Sequence, residues 1–191
     1  MITEVALSRH SENARETIID AAENVVLELG ARHLTLDAVA TKARVSKGGL
    51  LYHFPNKEAL LHGMLDRRVA RLEESRQQKL ALLPRNAKSV IIAHVRSQLE
   101  RDERTNKLAV ALLAAVAHDP QLLVPYQKEQ KKIVDQFCHA GLNFERAAAI
   151  MLAVQGLKFM ELFSLLPFTV EERSRVIDEI IALSEHKKHA R

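Results

Sequence analysis

The chain has a single cysteine, Cys138, so it can form neither an internal disulfide nor a thiolate metal cluster. Aromatic residues make up only 4% of its 191 residues, too few to read a stacking cage for a ligand. No stretch alternates apolar and polar residues with the period of a strand. The first fifteen residues, MITEVALSRHSENAR, lack the apolar core of a signal peptide. With the lone cysteine, this points to a reducing cytoplasm. There is no phosphate loop, HExxH, nucleophile elbow or paired catalytic carboxylates, so no enzymatic activity and no cofactor are expected. The nine histidines invite a metal site. Yet His94, His118 and His139 have no sequence-local companion, and His186 and His189 sit in the tail HKKHAR with only Glu185 nearby, so none is expected. Cys138 reads as a small apolar side chain rather than a redox sensor.

What is present is a globular composition, 47% hydrophobic and 27% charged, in a chain long enough to bury a good core. The net charge of +4 permits nucleic-acid binding without demanding it, because the placement of charge matters more than its sum. The most apolar stretch, 147–166, is interrupted by Gln155, Lys158, Glu161 and Ser164. That stripe argues for a helix packed within protein and against a membrane span.

The pattern reads as an all-α chain of about nine helices. Ile18, Ala21, Ala22, Val25 and Leu29 form one face of a first helix that Gly30 ends. Thr35 caps a short helix to about Arg44, with Asp37 in its first turn. Val45 and Ser46 make a turn, and Ser46 caps a third helix to about Phe54. Asn56 caps a long fourth helix that Pro84 follows. Further helices are expected over about 87–103, 105–118, 120–140, 144–166 and 170–185, the last opened by the capping box Thr169-x-x-Glu172. The expected division is a small N-terminal helical module at 1–56 and a larger helical body at 57–191.

Residues 35–61, TLDAVATKARVSKGGLLYHFPNKEALL, carry the functional signal. Two short helices joined by a tight turn are a helix-turn-helix, whose second helix can enter the DNA major groove. Between Asp37 and Glu58 every charged side chain is positive: Lys42, Arg44, Lys47 and Lys57. Gly48 and Gly49 are poor for helix stability, and suit a backbone that must approach phosphates or base edges. Lys57 opposes the macrodipole in the first turn of its helix, and a phosphate lodged there would satisfy both.

Arg15, Ile19, Ala21-Ala22, Glu28-x-Gly30, Leu34-Thr35, Val39-Ala40, Ala43, Val45-Ser46, Gly48, Leu50, His53-Phe54 and Lys57-Glu58-x-Leu60-Leu61 resemble the N-terminal domain of TetR/AcrR-type transcriptional regulators. The resemblance covers residues 15–61. It implies an all-α homodimer that binds a palindromic double-stranded operator, usually as a repressor, with a small-molecule effector in the C-terminal domain. It also implies that Thr35 contacts a phosphate, that Lys47 and Gly48 lie at the groove, and that His53 and Lys57 lie against backbone or bases. Ser46, Gly49 and Tyr52 complete the expected contact set. Two positions depart from the family: Leu51 stands where tyrosine is common, with Tyr52 after it, and Arg44 replaces the usual glycine. Arg44 thereby becomes an added candidate for a phosphate. Arg9 and His10 would be the basic groups of an N-terminal arm.

In the body, Leu112, Leu113, Val116, Tyr126, Phe137, Phe159 and Phe163 are the candidates to line an effector pocket. The last two helices are the candidates for a two-fold, four-helix interface, through Met151, Val154, Leu157, Phe159, Leu162, Val176, Ile177, Ile180 and Ile181. The competing reading is a helical adaptor that dimerises without binding DNA.

Overall fold

The computed structural model describes residues 2–100, 102–116 and 120–185, with side chains described for 13–100, 102–113 and 120–185. The expectations placed on Arg9, His10, Val116, His118, His186 and His189 lie outside the described side chains. Among the described residues the chain is all helical, with no strand. The helices are α1 (Ile2–Leu29), α2 (Leu36–Ala43), α3 (Lys47–His53), α4 (Lys57–Ala81), α5 (Ala87–Gln98), α6 (Glu103–Val116), α7 (Val124–His139), α8 (Phe144–Leu162) and α9 (Val170–Ala182). Short 3-10 turns at Ala31–His33 and Pro120–Leu123 precede α2 and α7.

The N-terminal ends of α2, α3 and α4 are closed by side chains. Thr35 Oγ1 accepts from Ala38 N at 3.2 Å, Ser46 Oγ from Gly49 N at 3.0 Å and Asn56 Oδ1 from Ala59 N at 2.7 Å. Thr169 and Glu172 form the reciprocal capping box of α9. Several C-terminal ends close by the Schellman pattern. Val45 N donates to Ala40 O at 3.1 Å, Leu142 N to Phe137 O at 3.2 Å and Leu165 N to Met160 O at 2.8 Å. The residues in the left-handed conformation there are Arg44 (φ 57°), Gly141 (φ 100°) and Ser164 (φ 54°). The closure at Ser164 is why α8 stops at Leu162 rather than running to 166. Helix α1 starts far earlier than its apolar face suggested, and α5 ends at Gln98, short of the expected 103.

The chain packs as two compact units, Met1–Arg68 with Glu103–Leu123, and Val69–Asp102 with Val124–Arg191. This differs from a division at 56/57. Leu60, Leu61 and Met64 of α4 and Leu108 and Leu112 of α6 share one buried cluster with Ile18, Ile19, Val25, Leu34, Val39, Leu50 and Phe54. The second unit has its own core around Ile91, Val95, Ile133, Phe137, Ile150, Val154 and Ile180. No helix among the described residues is long and apolar enough to cross a membrane.

Candidate DNA-binding interface

In the first unit, α2 and α3 form the helix-turn-helix. Leu50 is fully buried and Phe54 nearly so, which anchors the inner side of α3. Two residues pack against Phe54. The Arg15 guanidinium lies 5.3 Å from its ring centroid. Next to it Gly63 of α4 leaves the ring room, since a Cβ there would stand 2.7 Å from Phe54 Cε1 and 3.3 Å from Arg15 Nη2. Gly63 therefore sets how closely α4 approaches the end of α3, a role the sequence reading missed.

The outer side of α3 is open. Tyr52 is 81% exposed, with the His53 ring edge-on at 5.1 Å between centroids. Lys47 is exposed and pairs with Asp37 at 2.9 Å, a bond weak enough to be exchanged for a phosphate. Lys42 is held by Glu28 at 2.6 Å, so it is turned back toward α1. Neither Arg44 nor Lys57 has a carboxylate partner among the described residues. A Cβ at Gly48 would meet nothing within 4 Å, so packing within the protein does not require glycine there. At Gly49 a Cβ would come within 3.2 Å of Ser46 Oγ, so glycine protects the cap of α3. Thr35 and Ser46 both have their hydroxyls engaged as cap acceptors, and each can still donate its proton outward.

Beneath this surface a buried ionic group fixes α4 to α1. Arg67 is 8% exposed; its Nε lies 3.0 Å and its Nη2 2.6 Å from Glu23 Oε1, and its Nη1 lies 2.7 Å from Asp20 Oδ1. Burial pulls the Arg67 pKa down, but hydrogen bonding and charge from Glu23, then Asp20, outweigh it, and the net shift is upward. Glu23 is 1% exposed and also faces Arg104 of α6, 3.9 Å away.

Residues 18–64 match the profile of bacterial regulatory proteins of the tetR family, and residues 88–185 match the tetracyclin repressor-like C-terminal domain. The chain belongs to the TetR family. It is a DNA-binding transcriptional regulator and not an enzyme. Among curated relatives, the HTH-type transcriptional regulator TtgR of Pseudomonas putida is 28% identical over 151 residues, covering 74% of this chain and 70% of TtgR. Among solved structures, the multidrug binding protein EbrR complexed with imidazole superposes with TM-score 0.67 at 23% identity, covering 91% of both chains. The SmeT–triclosan complex gives TM-score 0.68 at 20% identity, covering 89% of this chain and 90% of SmeT. Similarity at these identities shows the shared TetR fold.

In the second unit of this TetR-family chain, Tyr126 lines a cleft between α4, α5 and α7. The cleft is small, with an accessible volume of about 20 Å³. Of the other residues expected to line a pocket, Leu112, Leu113, Phe137, Phe159 and Phe163 do not line this cleft. Phe137 is fully buried in the core, and the exposed rings of Phe159, on α8, and Phe163, just after it, lie 4.7 Å apart between centroids. Leu112 packs in the core of the first unit, and Leu113 is 39% exposed on the same helix. The cleft is lined instead by residues the sequence reading passed over, including Val69, Leu72, Arg76, His94 and Ile133.

The expected interface residues divide in the same way. Val154, Leu157 and Ile180 are buried within the chain's own core and have no surface to offer a partner. Met151, Val176, Ile177 and Ile181 are partly buried against that core, and Leu162 is half-buried. The outward apolar side chains on α8 and the segment after it are Leu152, Phe159, Phe163, Leu165 and Phe168.

Proposed function

We propose that this regulator is a ligand-responsive repressor, which binds a palindromic operator as a homodimer in the cytoplasm. The observation that carries the reading is the outer face of α3. Tyr52, His53 and Lys47 stand exposed or half-exposed there beside a side-chain-free Gly48, and Arg44 and Lys57 flank it at the two ends. Lys47, Arg44, Lys57 and Thr35 are assigned to phosphates; Gly48, Tyr52 and His53 to the groove, with Ser46 and Gly49 holding the start of the helix. Dimerisation is assigned to the outward apolar face of α8 and the segment after it, since an exposed cluster of that kind marks a contact surface. Ligand response is supported by the fold it shares with EbrR and SmeT, which were solved with imidazole and triclosan. An effector would act by binding more tightly to a body conformation whose reading heads do not match successive major grooves.

The test is selection of bound fragments from random DNA by the purified protein, followed by titration at several salt concentrations. The expected product is a two-fold site with half-sites about one helical turn apart. Lys57→Ala is expected to weaken binding uniformly across sequences and to lower the salt slope by about one per lost phosphate contact. A folded protein that enriches no site, with or without effector screening, would favour an adaptor over a regulator of this kind.

A further inference from the structure

The outward side of α8 carries one unbroken apolar stripe. Ala149, Leu152, Ala153, Gly156, Phe159 and Met160 share it at helical spacing, and Phe163 extends it just past the helix end. All of them are exposed or half-buried, while Ala147, Ile150, Val154 and Leu157 fill the core behind them. From Ala149 to Phe163 the stripe runs for about 21 Å without a charge on it. A helix apolar on both sides belongs between two layers of protein, and this chain supplies one.

Gly156 sits at the middle of the stripe. Glycine in mid-helix is unfavourable beside alanine. A Cβ there would meet nothing within 4 Å, so the chain's own packing does not call for glycine. A missing side chain on an outward face lets another backbone come close, and the bulk on either side of Gly156 says whose. Small Ala149 and Ala153 precede it; Phe159 and Phe163, their rings 4.7 Å apart between centroids, follow it. A second α8, turned over by a two-fold axis through Gly156, sets Phe159 opposite Ala153, Phe163 opposite Ala149 and Leu152 opposite Met160. Each aromatic ring then falls on an alanine. Near a two-fold axis every charge meets its own kind, and a stripe that carries none meets its copy without repulsion. The polar neighbour of Gly156, Gln155, is occupied within its own chain: it donates to Gln130 at 3.3 Å and accepts from Tyr126 at 2.9 Å.

We infer that Gly156 is the point at which α8 crosses its own copy, antiparallel and on the two-fold axis, with the aromatic half of each helix over the small half of the other. This deepens the assignment of dimerisation to the outward face of α8 and rests on it.

The experiment is disulfide mapping in the full-length protein carrying Cys138→Ala, which removes the one native thiol. It is run at concentrations where sedimentation of the wild type shows a dimer. Gly156→Cys is expected to give a covalent dimer under mild oxidation, because a residue on the axis faces its own copy within the roughly 4.4–6.8 Å that a disulfide spans between Cα atoms. Leu152→Cys alone is expected to stay uncrosslinked, since its copy is displaced along the helix by about 12 Å. Leu152→Cys combined with Met160→Cys is expected to crosslink. Leu82→Cys, at a position 87% exposed just past α4, measures chance collision. Gly156→Leu is expected to weaken dimerisation about a hundredfold with helical content unchanged. A dimer in which Gly156→Cys crosslinks no faster than Leu82→Cys, or Leu152→Cys alone crosslinks as fast as the pair, overturns the crossing point and keeps the dimer. So does an unchanged dissociation constant in a folded Gly156→Leu; if that variant does not fold, the crosslinks decide. A monomeric wild type removes the dimer reading, and the inference with it.

Discussion

At Arg44 a side chain occupies a position built for glycine. Its φ of 57° and ψ of 37° close α2 in the left-handed region, where a Cβ is crowded by the backbone. Arg44→Gly should therefore raise stability by about 0.5–1 kcal/mol in urea unfolding, the relief of the left-handed strain less the entropy glycine gains when unfolded. If Arg44 reaches a phosphate, the same change lowers operator affinity, so stability and binding move in opposite directions. A variant in which both rise would show that the arginine has no part on DNA. His94 gives a second test at this scale. Burial, with Arg76 adding to it and Glu73 opposing it, takes its pKa from near 6.5 unfolded to about 4 in the folded protein, so the unfolded chain binds a proton first as pH falls. The stability associated with keeping it neutral is complete above about pH 6.5 and is lost as the pH falls toward 4, a change on the order of 3 kcal/mol. Arg76, Glu73 and Glu129 face the same space; burial raises the Glu73 carboxyl, but hydrogen bonding from Gln77 and the charge of Arg76 outweigh it and hold it below the usual carboxylate range. Unfolding curves at pH 7 and pH 5 should thus diverge more for the wild type than for His94→Leu. Equal divergence would assign the acid sensitivity to the carboxylates.

Among the elements, what aims α3 is its attachment to α4, and two contacts make it. Gly63→Ala would drive a Cβ to 2.7 Å from a ring that is 2% exposed and cannot swing away. The expected cost is about 1–3 kcal/mol, with a loss of operator affinity beyond what unfolding accounts for, because α3 must tilt. Unchanged melting and DNA affinity would mean that α4 and α3 are not held at this point. Arg67→Ala should be worse, about 3–5 kcal/mol, because it removes the guanidinium that lies 2.6 Å from the buried Glu23 carboxylate. Replacing Glu23 by leucine in that background should recover part of the loss in thermal unfolding; a purely additive double variant would rule out the buried charge as the cause. These contacts also explain what was legible from sequence. The helix-turn-helix was, since its caps, turn and apolar positions lie within a few residues of one another and each follows from local chemistry. Gly63 and Arg67 were not, because their reasons lie on α3 and α1. The cleft was illegible for the same reason: its lining comes from Val69, His94 and Ile133, far apart in the chain, and a lone histidine in an apolar run gives no sign that its ring is unpartnered.

For the whole molecule, the question is what covers the apolar face of α8. The sequence showed a helix apolar nearly all round, and could not say which side met the chain's own core. Packing against α5, α7 and α9 turns Ile150, Val154 and Leu157 inward and leaves Leu152 63% and Phe159 52% exposed. Phe163, Leu165 and Phe168 extend the outward cluster beyond the helix end. A second copy is the occupant that the proposed palindromic operator requires, because a two-fold site is read by a two-fold protein. Leu152→Glu with Phe159→Glu places charges on the exposed face and none in the core. It should leave the helical spectrum and the monomer fold intact, and convert a dimer to a monomer in sedimentation equilibrium. Operator affinity should fall by orders of magnitude, since one reading head loses the added contribution of the other. Val154→Glu is the contrasting change: it buries a charge in the chain's own core and should unfold the second unit whatever the oligomeric state. A double-glutamate variant that remains dimeric would move the interface to another surface, with α9 and its half-buried Val176, Ile177 and Ile181 the next place to look.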